Sequence, residues 1–344
     1  MYPLNLSSNQ SFICFPFAIC FIMSIFAALK AIMMVQSIQN EYVATIGFFD
    51  GVHCGHRFLL ENVIETARKS GLQSMVVTFA EHPRKVLEAD FQPKLLTTKE
   101  EKAELLKATG VDRILMLDFT KQVASMTARE FMQMLYEEHG VRVLIVGYDH
   151  RFGAGRAEVF DDYHKYGDEM GMRVVKCPHF KSQKHKPDEQ GVSSTVIRKA
   201  LGKGEIKTAN ELLGHRYMLT GRVVHGFHNG TDLGYPTANI DVEADKLVPM
   251  SGVYAVSVRS TALGDKSVYG MLNIGTRPTL ENGESVSVEV HIFECNADLY
   301  DSILKVEIID FLRREKKFDD VESLKEQLKE DEQQCRRIIL SENK

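Results

Sequence analysis

Gly47-Phe48-Phe49-Asp50-Gly51-Val52-His53-Cys54-Gly55-His56 is the stretch from which the fold of this chain is read. It follows a short apolar run, Val43-Ala44-Thr45-Ile46, whose length and β-branched content predict a buried strand. Beyond it, Phe58, Leu59, Val63, Ile64 and Ala67 recur at helical spacing until Ser70-Gly71 stops the pattern. The expectation is therefore strand, tight turn, helix. A helix N-terminus attracts anions through its unpaired N–H groups and its dipole, and Gly55 has no side chain to keep a phosphate from the backbone. His53 and His56 flank that glycine, so both imidazoles can donate hydrogen bonds to charge growing on phosphate oxygens. The arrangement suits a nucleoside triphosphate.

Working outward, residues 37–205 alternate strand and helix patterns as a parallel α/β sheet requires. Strand patterns fall at 74–79, 113–117, 141–146 and 173–177, with helical patterns at 99–107, 127–138 and 161–170. Ligands of open parallel sheets gather beyond the carboxyl ends of the strands. Three unusual strings lie at such places: Thr78-Phe79-Ala80-Glu81-His82-Pro83, Gly147-Tyr148-Asp149-His150-Arg151-Phe152-Gly153, and Ser193-Ser194-Thr195-Val196-Ile197-Arg198 opening a last helix. In the third, two hydroxyls and a guanidinium meet at a helix start, where they can hold triphosphate oxygens.

With these strings beside it, GFFDGVHCGH resembles the HxGH nucleotidylyltransferases, and among them the FAD synthetase branch of prokaryotic bifunctional riboflavin kinase/FAD synthetases. The resemblance implies a Rossmann-like domain in which Gly47, Phe49, Gly55, Asp149, Ser194, Thr195 and Arg198 bind ATP or its phosphates and His53 and His56 are catalytic. Asp149 matches a position held there by Asp or Asn against the adenine nucleotide; taken alone it is an ordinary turn aspartate. His150 stands where the family has Phe, a departure that bears on local packing more than on chemistry; Ala80-Glu81 replaces an acidic-Pro pair beside His82 and Pro83, whose flavin-side role is only implied by the resemblance.

After a short helical pattern at 205–214 the texture changes to Gly, Pro and Asn between β-rich runs at 217–224, 252–258, 267–274, 287–293 and 304–309. This predicts a small antiparallel barrel, closed by a polar helix over 321–340. Gly221-Arg222-Val223-Val224-His225-Gly226, Gly230 and Leu233-Gly234-Tyr235-Pro236-Thr237-Ala238-Asn239 resemble the riboflavin kinase signature, and the chain has no GxxxxGK[ST] loop. Magnesium takes oxygen ligands and keeps substrate phosphates in its shell. The Thr237 hydroxyl and Asn239 amide suit such sparse coordination, and the resemblance implies that role, with Gly226 and Gly230 at the ATP phosphates. Strand alternation puts Glu289 and His291 on one face, with the carboxylate expected in the barrel mouth. The resemblance makes Glu289 the general base on the ribityl hydroxyl and gives Arg313 a weak flavin contact; as a surface cation Arg313 is equally ordinary.

The expected organisation is an apolar extension over 1–36, an FMN adenylyltransferase domain over 37–205, a linker helix over 206–214 and a riboflavin kinase domain over 215–344. At 344 residues, two domains are the natural prior. A net charge of −5 argues against a nucleic-acid partner, and six scattered cysteines without a CxxC pair suggest neither a zinc ribbon nor a disulfide framework but reduced thiols in the cytoplasm. Phe12 to Leu29 is nearly all apolar, with Lys30 the first positive charge. Its readings are a start site placed too early, with translation from Met33 or Met34, a membrane anchor, or an extra helix. The first is preferred, so no stable membrane association is expected. The expected substrates are riboflavin, FMN and ATP, with magnesium at both sites. A different HxGH nucleotidylyltransferase and a non-catalytic flavin-binding regulator are the alternatives. Oligomeric state is left open.

Overall fold

A computed structural model describes residues 40–87, 94–180, 191–225, 233–264, 266–278 and 284–342. The apolar 12–29 segment, the polar 181–190 loop, Gly226 and Gly230 lie outside the described residues.

In the N-terminal half, β1 (Tyr42–Ile46), β2 (Gln73–Phe79), β3 (Arg113–Leu117), β4 (Val141–Val146) and β5 (Arg173–Lys176) form one parallel sheet in the order β3-β2-β1-β4-β5. Every residue of β1 is buried, as a central strand covered on both faces must be. Helices α1 (Cys54–Ser70), α2 (Pro83–Leu87), α3 (Lys99–Lys107), α4 (Lys121–Ser125), α5 (Ala128–His139) and α6 (Phe160–Met170) make the crossovers. Thr98 and Thr127 start α3 and α5 with capping boxes to Glu101 and Glu130, while Gly71 and Gly140 end α1 and α5 in left-handed conformation. Strand order reverses between β1 and β4. The loops leaving those two strands, 47–53 and 147–153, therefore converge on one crevice.

Helices α7 (Ser194–Lys203) and α8 (Ile206–Leu213) follow. Ile197, Ala200 and Leu201 of α7 and Ile206, Ala209, Leu212 and Leu213 of α8 share one apolar cluster with the inward side chains of the next unit. That unit is a closed antiparallel barrel of β6 (Tyr217–Val224), β7 (Ala238–Val242), β8 (Gly252–Arg259), β9 (Val268–Pro278), β10 (Glu284–Ile292) and β11 (Ile303–Arg313), in the order β10-β7-β6-β11-β8-β9. The C-terminal α9 (Val321–Glu342) covers one outer side through Cys335 and Ile339.

Two corrections to the sequence reading follow. The barrel has six strands, not the five runs expected, because Ala238-Asn239-Ile240-Asp241-Val242 is a strand. Its Asn and Asp look like turn residues, yet they lie on the exposed side of a strand whose neighbours supply the ladder. Short α2 and α4 were also not anticipated. Each is five residues, too short for a hydrophobic period to show.

Candidate functional sites

The loop leaving β1 is strained. Phe49, Gly51 and Val52 have φ of 56°, 80° and 41°, and left-handed backbone is costly for a β-branched residue. Packing holds it there: Phe49 and Val52 are fully buried in the core beside α1. The loop closes on His53, the N-cap of α1, whose Nδ1 accepts from the His56 backbone N–H at 3.3 Å. That bond leaves the neutral proton on Nε2. The two imidazoles stack at 3.6 Å, and Phe49 meets His56 edge-on at 5.1 Å. Burial pushes the His53 pKa down to about 4 and holds His56 well below its ordinary range. Both rings are thus neutral donors at physiological pH. Gly55 has a role beyond the one expected, because a Cβ there would meet the His53 ring at 3.3 Å.

Asp50, to which the sequence reading gave no role, is the hub of the loop. Its buried carboxylate accepts from the backbone N–H of Leu96 (2.9 Å) and Thr97 (3.2 Å) and pairs with the Arg198 guanidinium. Its main-chain carbonyl accepts from Ser194 Oγ at 3.0 Å, and Arg198 Nε donates to the Lys94 carbonyl at 2.9 Å. Ser193 caps α7, accepting from the Val196 N–H at 3.4 Å; Thr195 is exposed. The signal was available, since Asp50 sits inside the quoted motif.

Two cavities lie at the loops leaving β1 and β4. An apolar one of about 530 Å³ is lined by Gly47, Phe48, Phe79, His82, Pro83 and Phe152, among others. His82 packs edge-on to Phe48 at 4.7 Å, with burial lowering its pKa. Beneath Phe48 lies the buried ammonium of Lys102, 3.9 Å from the ring, donating to the Phe79 carbonyl at 2.6 Å and depressed by burial to about 8. A smaller polar cavity of about 380 Å³ is lined by Tyr148, Asp149 and Lys176, and the two share His150 and Arg151. His150, which stands where the family has Phe, stacks with Phe152 at 6.3 Å, and its buried Nε2 has no hydrogen-bond partner among the described residues.

In the barrel, Glu289 of β10 lies opposite Asn239 of β7 on one side and Asn273 of β9 on the other. The Thr237 hydroxyl donates to Glu289 Oε2 at 3.4 Å. Glu289 and His291 share a face as alternation requires, but it is not the barrel interior, which Val288, Val290 and Ile292 fill. They face outward against the 235–239 segment, where His291 Nδ1 lies 2.8 Å from the Pro236 carbonyl. A cavity of about 340 Å³ beside Thr237 is lined by Ala238, Asn296, Asp298 and Tyr300. Arg313, for which the resemblance implied a flavin contact, is engaged within the fold. It forks onto the buried Asp331 of α9 at 2.7 to 3.1 Å and fastens that helix.

A parallel sheet with a histidine-bearing, anion-seeking loop at its switch point, joined to a barrel with a hydroxyl, an amide and a carboxylate clustered on one face, defines a two-site phosphate-transfer enzyme. Residues 35–196 match the FAD synthetase family and residues 213–339 the riboflavin kinase family. The chain is 40% identical over 307 residues to the bifunctional riboflavin kinase/FMN adenylyltransferase of Escherichia coli strain K12, covering 88% of this chain and 95% of that one. It is 36% identical over 296 residues to the protein of the same name from Listeria monocytogenes, covering 86% and 91%. A crystal structure described as a macrolide-efflux protein from Streptococcus pneumoniae superposes with a TM-score of 0.77 at 34% identity, covering 87% of this chain and 94% of that one. The chain belongs to the bifunctional riboflavin kinase/FMN adenylyltransferase family. It phosphorylates riboflavin to FMN and adenylylates FMN to FAD, with ATP as the second substrate of both reactions.

Proposed function

We propose that the two reactions are divided between the switch-point crevice of the parallel sheet, in residues 37–205, and the outer face of the barrel, in residues 215–344. In the crevice an FMN phosphate oxygen attacks the α-phosphorus of ATP and pyrophosphate leaves. The neutral rings of His53 and His56 donate to the oxygens on which charge accumulates, while Ser194, Thr195 and Arg198 hold the departing pyrophosphate. The apolar cavity with His82 and Pro83 takes the isoalloxazine, and Asp149 in the adjoining polar cavity takes the adenine nucleotide. The observation that carries this reading is the stacked, buried His53–His56 pair at the N-terminus of α1, on the loop that leaves β1 at the switch point of the sheet.

On the barrel, Glu289 orients and accepts the proton of the ribityl hydroxyl as it attacks the γ-phosphorus. Positioning contributes more than basicity, since phosphoryl transfer has a loose transition state. The Thr237 hydroxyl, Asn239 amide and Glu289 carboxylate form a hard oxygen set that suits magnesium. Among the described residues there is no cluster of three His, Cys, Asp or Glu able to hold a metal alone; Thr237 and Asn239 would hold magnesium together with nucleotide phosphates. When bound, the ion neutralises charge on the transferring phosphates. Gly226 and Gly230 belong to the same phosphate-binding proposal.

In this reading the protein works in the cytoplasm, without a nucleic-acid partner and without stable membrane association. No helix among the described residues is long and apolar enough to cross a membrane. Incubating the purified protein with riboflavin and ATP, with and without magnesium, and separating FMN from FAD tests the reading. Both products are expected with the metal, and chelation should abolish both. Persistence of either product after full chelation would remove the metal from that site.

A further inference from the structure

We infer that Lys246, a barrel residue, is a positioning residue for adenylyl transfer in the other half of the chain. The loop 243–247 leaves β7, the strand carrying Asn239, and lies against residues 94–98. Leu95 N–H donates to the Asp245 carbonyl and Leu247 N–H to the Leu95 carbonyl, both at 2.7 Å. Lys85 pairs with Asp245 at 2.5 Å. Lys246 itself is buried, and its Nζ donates to the Leu96 carbonyl at 2.6 Å and to Glu101 Oε2 at 2.5 Å.

The consequence lies one residue further on. The backbone N–H groups of Leu96 and Thr97 hold the Asp50 carboxylate, whose other oxygen holds Arg198. The strained 49–52 loop has a second prop from the barrel side, where His215 Nε2 lies 2.9 Å from the Gly51 carbonyl. Lys246 thus clamps the Leu96 carbonyl while the N–H groups on either side of it aim Asp50. The ammonium also neutralises Glu101, the residue whose carboxylate caps α3 through the Thr98 N–H at 3.1 Å. Without Lys246 a buried carboxylate and a buried carbonyl lose their donor, and the peptide that fixes Asp50 and Arg198 is released. This inference rests on the proposed phosphate role of Arg198, which Asp50 holds in place.

The test uses the full chain and reads both activities in each sample. Lys246→Met should lower kcat/KM for ATP in the adenylylation of supplied FMN roughly a hundredfold, the cost of misplacing a site by about an ångström. Riboflavin phosphorylation should stay within about twofold, which also reports folding. Adding Glu101→Gln removes the stranded charge, so Lys246→Met/Glu101→Gln should regain thermal stability without regaining adenylyl transfer. If the double variant recovers both, or if Lys246→Met lowers the two activities together, Lys246 serves stability alone and the inference is wrong. Asp50→Asn separates the two layers. If it leaves adenylyl transfer at the parental rate, the Asp50–Arg198 reading falls and this inference with it. If it slows the reaction while Lys246→Met does not, only the role of Lys246 falls.

Discussion

Burial makes the imidazolium costly at His53 and His56, so the neutral ring persists at physiological pH with an N–H to offer, as their proposed role as donors requires. Replacing His56 with Ala should slow adenylyl transfer by about two to three powers of ten, the usual cost of one such donor, with riboflavin phosphorylation unchanged; a parental rate of FAD formation would end the assignment. The same burial fixes a pH dependence. His53 and His150 are both held at about 4 against an ordinary 6.5, so the fold favours their neutral forms. Their contribution is whole above pH 6.5 and is lost as pH falls from 6.5 towards 4, on the order of 3 kcal/mol for each ring. Denaturant midpoints should therefore fall between pH 7 and pH 5, and His150→Phe should flatten that fall. An unchanged slope in the variant would show that His150 contributes none of it.

Elements differ in how openly the sequence announces them. Strands β1, β2 and β4 are short, mostly buried runs rich in β-branched residues and were legible, as were the less buried β3 and β5 and α1, whose long apolar stripe ends at Gly71. Strand β7 was hidden, because its place in the barrel comes from pairing with β6 and β10 rather than from its own composition. The facing of Glu289 was half legible: alternation gave its partner His291, but which face the barrel fills depends on closure, a property of six strands together. Asp50 was visible as a residue and not as a hub, since its partners lie 46 to 148 positions away. Gly221 of β6 shows how tightly these elements meet, for a Cβ there would stand 2.2 Å from the Asp241 carbonyl of β7. Gly221→Ala should push β7 off β6, costing about 1–3 kcal/mol or more and shifting Asn239. A lowered melting temperature with riboflavin phosphorylation reduced more than adenylyl transfer is the expected outcome, and equal loss of both would place the disturbance elsewhere.

Across the whole molecule, chemistry and packing divide the chain at different places. The proposal gives each reaction its own set of polar residues, yet Ile197 and Leu201 on the helix that carries Arg198 lie in the same apolar cluster as the barrel interior, and Lys246 and His215 reach from the barrel side to Leu96 and Gly51. The activities should therefore separate by point substitution and not by cutting the chain. Glu289→Gln keeps the size of the side chain and an oxygen to accept from Thr237, so β10 retains its partners Asn239 and Asn273. FMN formation should fall at least about a hundredfold, the lower end of the range for loss of a general base, while supplied FMN is converted to FAD within about twofold of the parental rate. A chain ending at residue 205 keeps His53, His56, Asp50 and Arg198 but exposes Ile197 and Leu201 and lacks Lys246, so its adenylyl transfer should be lost or greatly reduced. If Glu289→Gln abolished both activities in a folded protein, the two-site division would be wrong; if the truncated chain worked at the parental rate, the support ascribed to the barrel would be.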